Sequence, residues 1–297
     1  MNQSTRSFMW TLPQPIFVLG STILIASAMT TQWIEPKVLF PIVLYLPIPL
    51  LLIMERLTPR RRDWLLNWRD IGIDAFWVFS SYLIWFPFFD EHYDTPISTG
   101  IAALRDTVNF PFRLEPETTL GLIAAAIAGV IVIEFISYWV HRAMHRTMFL
   151  WRIHATHHHI TKMSVARSDR THPLELLALN LGPAVALAML GASDNVIGVV
   201  LILGLTNAYT NHANLPLESG IFGWIFNTAE MHQLHHSSNF DESNTNYGCT
   251  IILWDRIFGT FSGKKSIERA GNGTGKQLSL LTQLTIPFRS NKVLKEL

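Results

Sequence analysis

The chain has 297 residues, of which 49% are apolar and 15% charged, and a formal net charge of +1. So high an apolar share beside so few charges points to a membrane protein rather than an ordinary soluble enzyme. Without a basic tract to displace counterions from phosphates, a nucleic-acid partner is excluded. Cys249 is the single cysteine, so the chain forms no internal disulfide, thiolate zinc site or iron–sulfur cluster of its own, and any metal is held by nitrogen or oxygen.

In chain order, residues 15–30 and 38–54 are nearly uncharged and close to the roughly 20 residues that cross a bilayer. The first lacks a charged start and a small-residue cleavage site, and reads as a retained span rather than a signal peptide. Residues 71–89 and 120–140 form a third and fourth span. The fourth contains Ala124, Ala125, Ala126, Ala128 and Gly129, small residues that let neighbouring helices approach closely in lipid. Between them, 95–117 carries Pro96, Pro111 and Pro116 and reads as an outer loop with an interfacial helix. Residues 174–192 and 196–210 form a fifth and sixth span, joined in a hairpin by Ser193, Asp194 and Asn195. After Ser262 the chain turns polar, with Gly271, Gly273 and Gly275, and reads as a surface tail.

Arg60, Arg61, Arg62 and Arg69 lie between spans two and three, and loops rich in arginine stay cytoplasmic. Threading the other spans from that anchor puts residues 90–94 outside and both His141 and His212 on the cytoplasmic side; Lys37 is a mild exception. Arg167 and Arg170 are read as ordinary charges of the cytoplasmic face rather than as contacts for a lipid headgroup.

Eleven of the twelve histidines lie between positions 141 and 236. His141 and His145 stand four residues apart, one helical turn, so both project from one face. His154, His157 and His158 repeat the idea at offsets of three and four, and His232, His235 and His236 reproduce that spacing. In each triplet the first and last residues share a face while the middle one diverges, an arrangement that suits two adjacent ions with open positions better than one. His212 and His172, at the ends of spans six and five, are candidate further ligands, His172 equally a partner of one; His159 is a hydrogen-bonding neighbour. Glu134 lies seven residues before His141, about two turns, and faces the same interior. It is a candidate catalytic carboxylate, or else a satisfied contact between helices. Asp255 is the second candidate, and Asp169, Glu230 and Asp241 also stand near enough in sequence to orient an imidazole.

The text HRAMH, HATHH, RTHP, NHANLP and HQLHH, followed by NYG and WDRIFGT, resembles the fatty acid hydroxylase superfamily, in particular its sterol-desaturase-like branch, over about residues 134–261. The resemblance implies a non-haem centre of two irons, O2 as co-substrate and attack on a carbon–hydrogen bond of a sterol, fatty-acyl or other membrane lipid. It also implies that His141, His145, His154, His157, His158, His232, His235 and His236 are ligands. Nitrogen ligation alone suits iron, zinc or copper, so iron rests on the resemblance, and zinc in a purified sample would be a substitute.

The expected fold is all-α: an integral membrane bundle of about four to six transmembrane helices with a cytoplasmic histidine-rich helical cap. Its parts are 1–117, the N-terminal helices and interfacial segment; 118–262, the catalytic domain; and 263–297, the tail. No stretch has room for a cytochrome b5-like domain and no Gly-x-Gly-x-x-Gly turn occurs, so electrons are expected from a separate reductase with a ferredoxin- or cytochrome-type carrier. The competing readings are a zinc-dependent membrane hydrolase, which lacks the His-Glu-x-x-His pattern, and a metal transporter or sensor without turnover.

Overall fold

Helix-starting chemistry recurs down the chain. Thr118, Thr147 and Ser193 each offer a side-chain oxygen to a backbone N–H of the turn that follows, and Asn67 and Asp70 cap one another reciprocally, which satisfies donors that a helix start leaves free. The computed structural model describes residues 8–271 and 275–296, so Gly273 lies outside the described residues. Among the described residues the chain is helical, with only isolated β-bridges. Four helices are long and apolar enough to cross a membrane: α1 (Pro13–Thr31), α2 (Pro36–Leu57), α3 (Trp68–Thr107) and α4 (Thr119–Arg146). They are followed by α5 (Met148–His158), α6 (Pro173–Met189), α7 (Asp194–His212), the short α8 (Ala229–His235) and α9 (Leu253–Phe258).

Three features differ from the sequence reading. The third span and the interfacial segment form one 40-residue helix, α3. Pro87 and Pro96 do not end it because the chain widens into π-helical turns just ahead of each. Phe86 N–H reaches back five residues to Ser81 O and Thr95 N–H to Asp90 O, a local adjustment that absorbs the missing proline donor. The fifth and sixth spans become a hairpin of 17 and 19 residues that is not among the four membrane-length apolar helices. α7 buries Thr206, Asn207, Thr210 and Asn211 and packs against both α1 and α4, so it is the central helix of the bundle rather than a lipid-facing one.

Val18 and Ile25 of α1, Leu122 and Val130 of α4, and Val199 and Leu203 of α7 share one core. The small residues of α4 permit this approach: a Cβ on Gly129 would stand 3.3 Å from both Leu187 Cδ2 and Val200 Cγ2. The C-terminal stretch is not a free surface tail. Ile286 and Leu294 bury against Ala155 of α5, Trp77 Nε1 donates to Gln283 Oε1 at 2.8 Å, and Thr156 Oγ1 donates to Gln283 O at 3.0 Å. Leu281 and Phe288 of the same stretch remain exposed.

Candidate metal centre

α4 and α5 meet at Thr147, which closes the first helix through Ala143 O and caps the second. That sharp junction folds His154 and His158 back against His141 and His145. α8 approaches from the other side beside the end of α7. The result is two groups of imidazole nitrogens, each lying within 4.8 Å of one another: His141, His145, His154, His158 and His235 in one, His157, His212, His232 and His236 in the other. The divergence within each triplet is visible here. His154 and His158 enter the first group while His157 enters the second; His232 and His236 enter the second while His235 enters the first.

Within the first group Nε2 of His141 is 2.9 Å from that of His154 and 3.0 Å from that of His235, and Nε2 of His158 is 3.1 Å from those of His145 and His235. In the second, Nε2 of His232 is 3.0 Å from that of His212 and 3.1 Å from that of His236, and His212 to His157 is 3.4 Å. Four or five imidazoles cannot satisfy one another at such distances, because each neutral ring carries one acceptor and one donor nitrogen; a shared cation satisfies them all. Burial, reinforced by repulsion from neighbouring rings, holds His154, His157, His158, His232, His235 and His236 well below the usual histidine range. They are therefore neutral near pH 7, the form that ligates a metal. Both groups fit a metal ion by donor type and convergence.

The outward ring nitrogens are held in turn. His141 Nδ1 is 2.6 Å from Tyr247 O, His235 Nδ1 2.8 Å from Thr245 O, and His212 Nδ1 2.8 Å from Ala208 O. One loop, 245–248, thus fixes two members of the first group. The two candidate catalytic carboxylates secure that loop and touch no imidazole. Glu134 Oε2 accepts from Cys249 N–H at 2.9 Å. Asp255 accepts from Tyr247 and Gly248 N–H at 2.8 Å each and from Thr260 Oγ1 at 2.6 Å. Gly248 is needed where the loop doubles back, since a Cβ there would lie 1.9 Å from Ile251 O.

His212 joins the second group, whereas the structure does not bring His172 or His159 into either. His172 caps α6 by accepting from Leu174 N–H, and its Nε2 is 3.3 Å from Leu284 O. Asp169 accepts from Ser168 Oγ and Glu230 from Ser219, while Asp241 faces solvent; none of these three orients a ring. The carboxylate that does is Glu175, whose Oε1 is 2.6 Å from His154 Nδ1, a residue the sequence reading passed over. Its signal was present as a lone acid in the apolar run that opens after His172, the same signal that drew attention to Glu134. Arg167 and Arg170 are not surface charges either; both are buried against Asp70 and Asp74.

The fatty acid hydroxylase family model matches residues 126–260. The chain is 35% identical over 177 residues to the ornithine lipid hydroxylase OlsE of Rhizobium tropici, covering 58% of this chain and 52% of that protein. It is 28% identical to the methylsterol monooxygenase 2-2 of Arabidopsis thaliana, covering 52% of this chain and 59% of that protein, and 28% identical to the alkylglycerol monooxygenase of Homo sapiens, covering 52% and 34%. The chain spans about half the length of the curated relatives it matches, and no solved structure matches it. All three histidine boxes, gathered into two groups by α4, α5, α7 and α8, fall inside the matched region, so the part of the chain that carries both groups is the part similar to the fatty acid hydroxylase family.

Proposed function

We propose that the chain is a membrane-bound oxygenase that hydroxylates or desaturates a carbon–hydrogen bond of a lipid, with iron in both histidine groups. The observation that carries this reading is the convergence of five imidazole nitrogens in one group and four in the other. Five nitrogen donors are more than a closed tetrahedral zinc site takes, and two adjacent nitrogen-rich groups suit a pair of redox metals. Bound in this way, a redox metal pair supplies the activation of O2 and the oxidising power that an unactivated carbon–hydrogen bond demands.

The chain's own residues gather nine imidazoles into two groups, bond the outward nitrogens of His141, His154, His212 and His235, and bury all but His145 from bulk water. Glu134 and Asp255 act on the centre by holding 245–251 in place rather than by touching the reacting atoms. The relatives, an ornithine lipid hydroxylase, a methylsterol monooxygenase and an alkylglycerol monooxygenase, support an amphipathic membrane lipid as substrate. Electrons come from a separate donor, and the centre lies on the cytoplasmic side.

Metal analysis and Mössbauer spectroscopy on iron-57-loaded protein in detergent, beside a His157→Ala, His235→Ala double variant, test the proposal. About two irons per chain, lost in the variant, are expected. Stoichiometric zinc that iron cannot replace under anaerobic loading would overturn it and put a zinc hydrolase first.

A further inference from the structure

Glu175 stands in the first turn of α6 and is 1% exposed. Its Oε1 lies 2.6 Å from His154 Nδ1, and the buried Oε2 has no hydrogen-bond partner among the described residues. Among the described residues no arginine or lysine pairs with it; its ion-pair partner is His154. A buried carboxylate so poorly compensated is costly unless a positive charge lies close by. The imidazole shows where that charge belongs. His154 Nε2 is 2.9 Å from His141 Nε2 within the five-histidine group, so its lone pair faces the group while Nδ1–H donates away from it to Glu175.

The other anchored rings of the two groups meet uncharged partners. His141, His235 and His212 bond to the carbonyls of Tyr247, Thr245 and Ala208, and His232 Nδ1 is 3.3 Å from the side-chain amide of Asn227. Among the described residues the buried Nδ1 atoms of His158 and His236 have no hydrogen-bond partner. A carboxylate on the outward nitrogen fixes the tautomer as a carbonyl does, and in addition makes the inward nitrogen a stronger base and brings a negative charge within one ring of the ion. Among the described residues no such charge bonds an imidazole of the four-histidine group.

We infer that Glu175, acting through His154, is the counter-charge and positioning residue of the five-histidine ion alone, so that the two metal sites differ in affinity and in electronic character. The inference rests on the metal-centre reading above, but its test needs no turnover. Metal-free protein in detergent is titrated anaerobically with Co2+, followed by visible absorption and calorimetry, in the wild type, Glu175→Gln, Glu175→Asp, His154→Ala and His236→Ala. The wild type binds two ions. Glu175→Gln retains one ion at wild-type affinity and binds the other about 10–100-fold more weakly; Glu175→Asp recovers part of that loss. The ion weakened is the one that His154→Ala weakens, and the one it spares is lost in His236→Ala.

Two ions bound by Glu175→Gln at wild-type affinities would overturn the inference and leave the metal centre standing. Equal weakening of both ions in Glu175→Gln, unrelieved in Glu175→Asp, would also overturn it, since that marks a general packing role. A wild type that binds no ion would overturn the metal-centre reading and this inference together.

Discussion

His141 illustrates how a candidate ligand is held at several removes. Its Nδ1 leans on Tyr247 O, and Tyr247 N–H in turn leans on Asp255 Oδ1. Asp255 accepts three hydrogen bonds from the chain around it, so its amide analogue would turn an N–H2 toward at least one donor. We therefore expect Asp255→Asn to lose about 1–3 kcal/mol, the usual cost of a buried donor left unpaired, seen as a lower melting temperature in detergent, with metal content falling as well. A variant that melts like the wild type and keeps both metals, yet turns over no substrate, would return Asp255 to a catalytic role. At this scale the ligand spacing was legible in sequence because a helix converts offsets of three and four into shared and divergent faces. The supports were not, because Thr245 and Tyr247 act through carbonyls that every residue carries, and Glu175 meets His154 only once α6 has folded back onto α5.

Asp70 and Asp74, one turn apart at the start of α3, clamp the stretch that joins α5 to α6. Arg167 reaches Asp70 at 3.0 Å and Asp74 at 3.0 Å, Lys162 reaches Asp70 at 2.8 Å, and Arg170 pairs with Asp74. Both arginines and both aspartates are buried, so removing one charge strands its partners. Asp74→Asn should cost about 3–5 kcal/mol, measured as loss of a monodisperse peak in detergent, whereas replacing Asp74 and Arg170 together by Leu and Met should recover much of it. No recovery in the double variant would show that the network does more than balance charge. The neighbouring Asp169 gives a pH signature: burial pushes its carboxyl up to about 6. A carboxyl raised in the folded state holds its proton more tightly there, so its contribution favours folding below about pH 4 and is lost as pH climbs toward 6. Melting temperatures of the wild type should therefore fall relative to Asp169→Asn across that window, by a stability difference on the order of 2–3 kcal/mol; parallel curves would refute the assignment. Apolar runs made the helices legible, but not this clamp, since nothing in the spacing of Arg167 and Arg170 says that α3 will cover them.

For the whole molecule, the fold ties the side of the membrane that the centre faces to the side on which the arginine loop lies. Arg60 N–H donates to Asn214 O at 3.0 Å, its side chain donates to Leu217 O and Lys265 O, and Arg61 donates to Ile267 O and Glu268 O. The arginine loop between α2 and α3 is therefore packed beside the residues that follow His212, two positions beyond the second histidine group. At the other end, Leu114 and Ala192 pair beyond the starts of α4 and α7. The loop and the centre must share a side, and arginine-rich short loops are retained in the cytoplasm. Cys249 is intermediate in exposure as a residue, so a Cys249→Ser background is the clean one for single-cysteine labelling with a membrane-impermeant maleimide. Ser266→Cys, exposed near the arginine loop, and Glu117→Cys, exposed at the opposite end, then report the two faces. In intact cells Glu117→Cys should label and Ser266→Cys should not, and inverted vesicles should reverse the pattern. Labelling of Ser266→Cys in intact cells would put the histidines outside, where no cytoplasmic reductase reaches them, and would require an electron donor on the outer face.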